Sequence, residues 1–314
     1  MRKNLLFLAV AAMALAGCHS GGFENGQGGM LYSIPTDNGG TKISVGDFVS
    51  FNMIVKTEHD SVIVNTYEKG HASYIILPKA EHAGDMNDAL KLLAEGDSAV
   101  IKINIDSVYG IGRQRPPFPG HYIVYNVKIE KVIPKAGLGD TEFNGKITAY
   151  TDQQTDLEKK AEPGKIKKYI TDNNLKGTTT PSGLFYAITQ PGAGDKPQTG
   201  DTVVMNYVVR LLSNTITATS MEDVAKKNKK FNPMAKYAPF SLVVGAKDNV
   251  PAWDEGFRLL NKGAKATLVS PSSLAHIGLT LRKVQWATPL VFNVEVLDIR
   301  HPKAGTVTAK PAAK

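Results

Sequence analysis

Apolar and polar positions alternate along most of this chain, and helical spacing is confined to a few stretches. After Gly46-Asp47, the run Phe48 to Val55 has the length and β-branched content of a strand, and Ser61 to Asn65 and Ala72 to Leu77 read as shorter ones. Asp85 to Leu93 sets Met86, Leu90 and Leu93 on one face of a short helix that Gly96 ends. Ala99 to Ile105 alternates strictly, and Tyr122 to Val132 closes the set. The same order then returns: Leu184 to Ile188 is a first strand, Gly200-Asp201 opens Thr202 to Val209, Trp253 to Leu260 is a helix ended by Gly263, and Leu290 to Val294 closes. Three segments correspond residue by residue: Gly46-Asp47 with Gly200-Asp201, Leu92 to Gly96 with Leu259 to Gly263, and Val124 to Val127 with Val291 to Val294. A repeat of this size is a duplicated domain, not a solenoid module. Strands running ahead of one short helix, without regular β-α alternation, predict an α+β unit with an antiparallel sheet.

The stretch Pro239 to Pro271 holds the candidate chemistry. Phe240 to Val244 reads as a buried strand, and Trp253, Phe257 and Leu260 fall on one helix face. Ala266 to Val269 returns to strand character, so the indole of Trp253 becomes the floor of an apolar cup. An indole at the start of an amphipathic helix is also accounted for by core packing alone.

Between the two units, Asp140 to Leu175 is polar, with helical spacing in Thr155 to Ala161 and in Lys165 to Asn173. Pro163-Gly164 predicts a break between two helices. The predicted boundaries are a signal segment at 1–17, a flexible tether at 18–40, the first unit at 41–134, a helical linker at 135–179, the second unit at 180–302 and a disordered Lys, Ala and Pro tail at 303–314.

Composition narrows the setting. Of 314 residues, 42% are hydrophobic and 21% charged, the balance of a foldable chain with room for two domains. Arg2-Lys3, the apolar core Leu5 to Leu15 and the small residues before Cys18 read as an export signal too short to span a bilayer comfortably. Leu15-Ala16-Gly17-Cys18 also resembles the lipobox of bacterial lipoproteins, which makes Cys18 the lipidated residue and the membrane a partner through that anchor alone. Cys18 is the single cysteine, so an exported chain without disulfides is expected. The absence of an acidic cluster after Cys18 favours a periplasm-facing anchor, in the outer membrane. The formal charge of +8 is spread out apart from Lys226 to Lys230 and the tail, with no basic cluster interleaved with aromatics, so nucleic acid is not expected as a partner. His59, His71, His82 and His121 have no ligand-like spacing, no phosphate loop follows a strand, and Gly-x-Ser-x-Gly is absent. Neither a metal nor another cofactor is therefore expected, and a hydrolase has no residues to stand on.

Thr180-Pro181-Ser182-Gly183-Leu184, Gly200-Asp201-Thr202-Val203, Pro239 to Leu242, Trp253-Asp254-Glu255-Gly256, Pro271 to Ala275 and Pro289 to Leu297 together resemble the signature of FKBP-type peptidyl-prolyl isomerases, in particular their bacterial lipoprotein branch. The first unit resembles a diverged copy. The resemblance implies a half-wrapped antiparallel sheet around a short helix in each unit, and proline-containing polypeptides as clients of an isomerase assisting folding of exported proteins. It assigns the pocket to Tyr207, Phe240, Val250, Trp253, Val284 and Phe292, with Trp253 as floor and the Val250 N–H receiving a substrate carbonyl. Leu242, on the strand of Phe240, lines the wall.

Some positions depart from the family pattern. Thr217-Ala218 stands where the family has Phe-Asp, so the pocket acid is missing unless Glu222 or Asp223 folds back. Ala275-His276 replaces Ala-Tyr, a neutral His276 still being able to donate one hydrogen bond. Gln285-Trp286 replaces the usual Pro-Pro, and an insert from Met221 to Tyr237 carries five lysines. The first unit has Met86 for the Trp and Met53 for the strand Tyr, so client binding or self-association, not catalysis, is expected of it. The alternative for the whole protein is a non-catalytic lipoprotein that reuses the fold to bind clients or partners.

Overall fold

The computed structural model describes residues 22–110, 115, 120–247, 249–275 and 288–302. Cys18 and the predicted signal segment, His276, Val284 and the tail lie outside the described residues.

The chain divides into two compact units, the first centred on residues 22–64 and 76–132 and the second on 133–302, and the described strands form two seven-stranded sheets. The first sheet contains β1 (Glu24–Asn25), β2 (Leu31–Thr36), β3 (Phe48–Thr57), β4 (Val62–Asn65), β5 (Ser73–Ile76), β6 (Ser98–Asn104) and β7 (Tyr122–Ile133). Its order is β1-β2-β6-β7-β3-β4, with β5 also on β3. Helices α1 (Met86–Leu90) and α2 (Ile105–Val108) flank β6 in sequence.

The second unit begins with α3 (Asp140–Asp172) and then repeats the pattern with β8 (Thr178–Thr179), β9 (Phe185–Gln190), β10 (Thr202–Leu211), β11 (Ile216–Thr219), β12 (Phe240–Val243), β13 (Lys265–Ser270) and β14 (Leu290–Arg300). The order β8-β9-β13-β14-β10-β11, with β12 on β10, reproduces the first sheet strand for strand. Its helices are α4 (Glu222–Lys227), α5 (Pro251–Phe257) and α6 (Ser272–Ala275). The described pairings within each sheet are antiparallel, so the fold is α+β with two copies of one topology.

The turns before the long central strands explain why both copies fold alike. Gly46 and Gly200 sit at φ of +93° and +97°, where a Cβ would be strained. The next carboxylate folds back onto its own turn: Ser44 N–H donates to Asp47 Oδ2 and Gln198 N–H to Asp201 Oδ2, both at 2.8 Å. Each turn is then tied to the strand end beside it, by Gly46 N–H to Leu77 O at 2.8 Å and Gly200 N–H to Val244 O at 2.9 Å. After the helix the parallel continues, with Gly96 N–H donating to Ile129 O and Gly263 N–H to Val296 O.

Two expectations need correction. Residues 24–36 were expected as tether but form β1 and β2, and β2 pairs with β6 through Leu31 opposite Lys102 and Tyr32 opposite Ile101. Met30 between them is buried in the core. Backbone pairing and one anchoring side chain outweigh a Gly- and Asn-rich composition whose local preference is weak. Pro163 does not break α3, which runs through it as one helix. The proline removes one donor and crowds the carbonyl four residues earlier. Anchoring on both sides of it, by Glu162 accepting from Ser272 N–H at 3.1 Å and by buried Tyr169 among Phe185, Val269 and Val291, overrides that local cost. The described residues contain no helix long and apolar enough to cross a membrane.

Candidate functional site

Helix α5 begins where Pro251 dictates. Proline suits the first helical position because it has no N–H to leave unpaired, and it disfavours the helical region for the residue before it. Val250 accordingly stays extended (φ −62°, ψ 121°), and its carbonyl accepts from Trp253 N–H at 2.9 Å and Asp254 N–H at 3.0 Å. The helix starts two residues earlier than the apolar spacing implies. It ends in tight turns, Leu259 N–H to Gly256 O and Leu260 N–H to Phe257 O. Gly256 lets it approach the sheet: a Cβ there would lie 2.5 Å from Leu268 Cδ1.

Three strands bring rings around the indole. Trp253 lies 5.2 Å from Tyr207 on β10, 5.7 Å from Phe240 on β12 and 5.6 Å from Phe292 on β14, measured between ring centres. Tyr207 and Phe240 meet edge to face at 6.3 Å and 86°. Such arrangements add about 0.5–1.5 kcal/mol per pair beyond area burial. Phe292 is 2% exposed and Trp253 8%, while Phe240 is 44% exposed, so the cluster has a deep end and an open rim. Leu242 and Val250 are buried in the same core, at 3% and 9%. Among the described residues, Trp253 Nε1 finds no hydrogen-bond partner, and neither does the Val250 N–H.

Of the candidate residues, Leu242, Val250, Trp253 and Phe292 share one core with Tyr207 packed against it, Phe240 meets the indole from the exposed rim, and His276 and Val284 fall outside the described residues. Ala218, at the family's acid position, faces Val209 across β10, and Val209 in turn faces Phe292. Neither nearby acid takes its place. Glu222 Oε1 is paired with Lys226 at 2.6 Å, and Asp223 is exposed on the first turn of α4.

Two supporting residues had escaped the sequence reading. Asp254 ties the loop before α5 together: its carboxylate accepts from Gly245 N–H and Asn249 Nδ2 and pairs with Arg258 at 3.2 Å. Partial burial pushes its pKa up, and the bonds from Gly245, Asn249 and Arg258 outweigh that and hold it below the ordinary Asp value. A carboxylate in a helix's first turn was the available signal. Ser220, 5% exposed, accepts from Tyr207 N–H at 3.0 Å and donates to Asn206 Oδ1 at 3.1 Å, which fixes β11 beside the ring of Tyr207. No group of three or more potential metal ligands occurs among the described residues.

This scaffold has relatives. Residues 194–297 match the family described as FKBP-type peptidyl-prolyl cis-trans isomerase. The chain is 30% identical over 194 residues to "FKBP-type peptidyl-prolyl cis-trans isomerase FkpA" of Escherichia coli K12, covering 57% of this chain and 63% of that one. It is 33% identical over 147 residues to "Probable FKBP-type peptidyl-prolyl cis-trans isomerase FkpA" of Neisseria meningitidis, covering 46% of this chain and 48% of that protein. It therefore spans less than two thirds of the length of these relatives. Among solved structures, the crystal structure of FkpA from Escherichia coli aligns over 53% of this chain and 76% of that chain, at 24% identity and a TM-score of 0.36. The three FKBP domains of wheat FKBP73 align over 88% and 96% at 13% identity, with a TM-score of 0.30. Over residues 194–297 the second unit of this chain is thus similar to the FKBP-type peptidyl-prolyl cis-trans isomerase family.

Proposed function

We propose that the second unit catalyses cis–trans isomerisation of X-Pro bonds in polypeptide clients, with the cluster around Trp253 as its site. The observation that carries this reading is the convergence of Tyr207, Phe240 and Phe292 on a buried indole, beside a Val250 backbone N–H that has no partner among the described residues. The X-Pro bond is planar through amide resonance, with a barrier of about 18–20 kcal/mol, and uncatalysed exchange takes tens of seconds or longer. Twisting the bond removes resonance and its charge separation. An apolar aromatic surface solvates the twisted amide better, relative to the planar one, than water does. The proline ring rests on Trp253, Phe240 and Tyr207 form its wall, and the Val250 N–H donates to a substrate carbonyl and holds one side of the bond while the other rotates. No nucleophile or proton donor is needed.

The first seventeen residues direct export, and lipidation of Cys18 anchors the protein to the bacterial envelope, at the outer membrane and facing the periplasm. The first unit captures clients or pairs with a second copy. Ala218 in place of the family's acid favours a second reading, in which the cluster binds prolyl segments with little turnover.

Exchange between cis and trans forms of a proline peptide, followed by NMR with the full chain, separates the two. Isomerisation lost in Trp253→Ala and reduced in Phe240→Ala, whose ring is the exposed one, supports catalysis. Binding of the peptide without acceleration supports the second reading. A Cys18→Ser variant that still fractionates with membranes would remove the lipid anchor from the account.

A further inference from the structure

The insert between β11 and β12 rises from two walls of the aromatic cluster. At its start, Ser220 is bonded to the backbone of Tyr207 in both directions, its N–H donating to Tyr207 O at 3.1 Å and its Oγ accepting from Tyr207 N–H at 3.0 Å. Its far end runs directly into Phe240, opposite Met205 on β10. The intervening chain is thus held at the open rim, whatever clients occupy the cluster.

This insert is an ordered surface. Helix α4 ends with Lys230 N–H on Ala225 O at 2.8 Å. Phe231 then stacks on Tyr237 at 5.7 Å and 18°, and the Tyr237 hydroxyl accepts from Asn232 N–H at 2.9 Å. Lys226 Nζ sits 5.0 Å from the centre of the Phe231 ring. Met234, between these two rings in sequence, is 90% exposed. The same segment carries Lys226, Lys227, Lys229, Lys230 and Lys236 against only Glu222 and Asp223. Lys226 is balanced by Glu222, whereas Lys227, Lys229, Lys230 and Lys236 are exposed and make no ion pair among the described residues.

We propose that this insert selects prolyl segments flanked by acidic residues, its uncompensated lysines attracting the flanking carboxylates while Met234 and Phe231 cover apolar neighbours of the proline. The inference rests on the isomerase-site reading of the cluster and adds the class of client that enters it. An anionic lipid surface would satisfy the same charges but not their placement, since both ends of the insert are tied to the ring cluster rather than projected away from it. Like-charged clients are disfavoured by the same field, and salt screens it over about 8 Å at physiological ionic strength.

The test uses the full chain and three proline peptides that share a core and carry Glu, Gln or Lys on both flanks. Isomerisation by NMR exchange gives kcat/KM, and fluorescence anisotropy of labelled copies gives affinity. At low salt the Glu peptide should exceed the Lys peptide by about tenfold in both, the lower end of electrostatic steering. The ratio should approach one in about 0.5 M salt, where the screening length is only a few ångströms. In the variant K227Q/K229Q/K230Q/K236Q the ratio should also fall toward one. Equal values for all three peptides in the unaltered protein overturn the proposal. If those same lysines then drive co-sedimentation with phosphatidylglycerol vesicles, the charge serves a membrane instead. Absence of turnover on every peptide overturns the isomerase reading alone, because anisotropy still decides the charge preference.

Discussion

In the first unit Met86 and Met53 stand where the second has Trp253 and Tyr207, although the turns, the strand order and the helix around them are shared. In the first unit Met53 packs in a core cluster whose buried members are Val55, Ile105 and Ile123, with Ile63, Tyr109 and Tyr125 also packed against them. Duplication has thus kept what closes the sheet and exchanged what fills the cup. The Gly-Asp turns and the glycines after the helix satisfy backbone groups of the sheet, and a copy that lost them would lose stability. The rings satisfy nothing in the backbone and are free to diverge. On the proposed reading, the aromatic positions serve ligand chemistry and the polar turn positions serve stability.

Removing the helix residue that each unit buries against its sheet should have the largest effect. Phe257→Ala is expected to cost about 3–5 kcal/mol and Leu90→Ala about 2–5 kcal/mol, the usual range for emptied core sites. Urea unfolding should show each loss in its own transition, as expected for separate domains. A single substitution that lowered both transitions equally would break the picture of two copies that fold separately. Next comes the exchange of cup residues. Trp253→Leu should lower kcat/KM for a proline peptide by at least about tenfold, equivalent to ~1.4 kcal/mol of transition-state stabilisation. The matching Met86→Leu should leave it within about twofold, since a volume-conserving swap is well tolerated. A loss in the second variant would show that the first unit takes part in catalysis.

The turn carboxylates should behave alike. Asp47→Ala and Asp201→Ala are each expected to cost about 1 kcal/mol, the net value of a hydrogen bond. Asp201 also carries a pH dependence. The bond from Gln198 N–H lowers its pKa most, burial opposes this, and His301 adds a further lowering. Its stabilisation is therefore complete above the unfolded carboxylate value of about 3.9 and is lost as the pH falls through the lower native one. Unfolding midpoints from pH 6 to pH 2 should show a shallower acid loss in the Asp201 variant.

The smallest effect belongs to a residue without a counterpart in the first unit. Burial on α3 pushes Glu158 up to about 7, and Lys165 only partly opposes it. The native state then holds a proton that the unfolded chain releases. Stability of the second unit should fall as the pH rises from the ordinary Glu value to about 7 and level off above it. Glu158→Gln should abolish that decline and add about half a kcal/mol at pH 8, the small value reflecting solvent screening of a partly exposed group.

Much of this was legible in the chain. Gly46-Asp47 and Gly200-Asp201 announced the duplication because a positive-φ glycine and a turn-capping aspartate have few substitutes. The spacing of Trp253, Phe257 and Leu260 marked the helix face, although Pro251 moved the helix start. Residues 24–36 were illegible as strands because their pairing partner, β6, lies some seventy residues away and supplies the order that their composition lacks. Pro163 misled for the opposite reason, since a local breaker yielded to packing around Glu162 and Tyr169. Asp254 and Ser220 hid in plain view, being common surface residue types whose roles depend on what stands opposite them.

The order of residues alone determined two similar α+β units, the helix bearing the indole and the lysine-rich segment before Phe240, because periodicity and turn chemistry are local properties. Which rings meet that indole, which backbone N–H is left without a partner among the described residues, and where the lysines stand relative to both were decided only by the folded chain. Tyr207, Phe240 and Phe292 lie on separate strands, and their distance from Trp253 depends on β12 and β14 both pairing with β10 and on how closely Gly256 lets α5 approach the sheet.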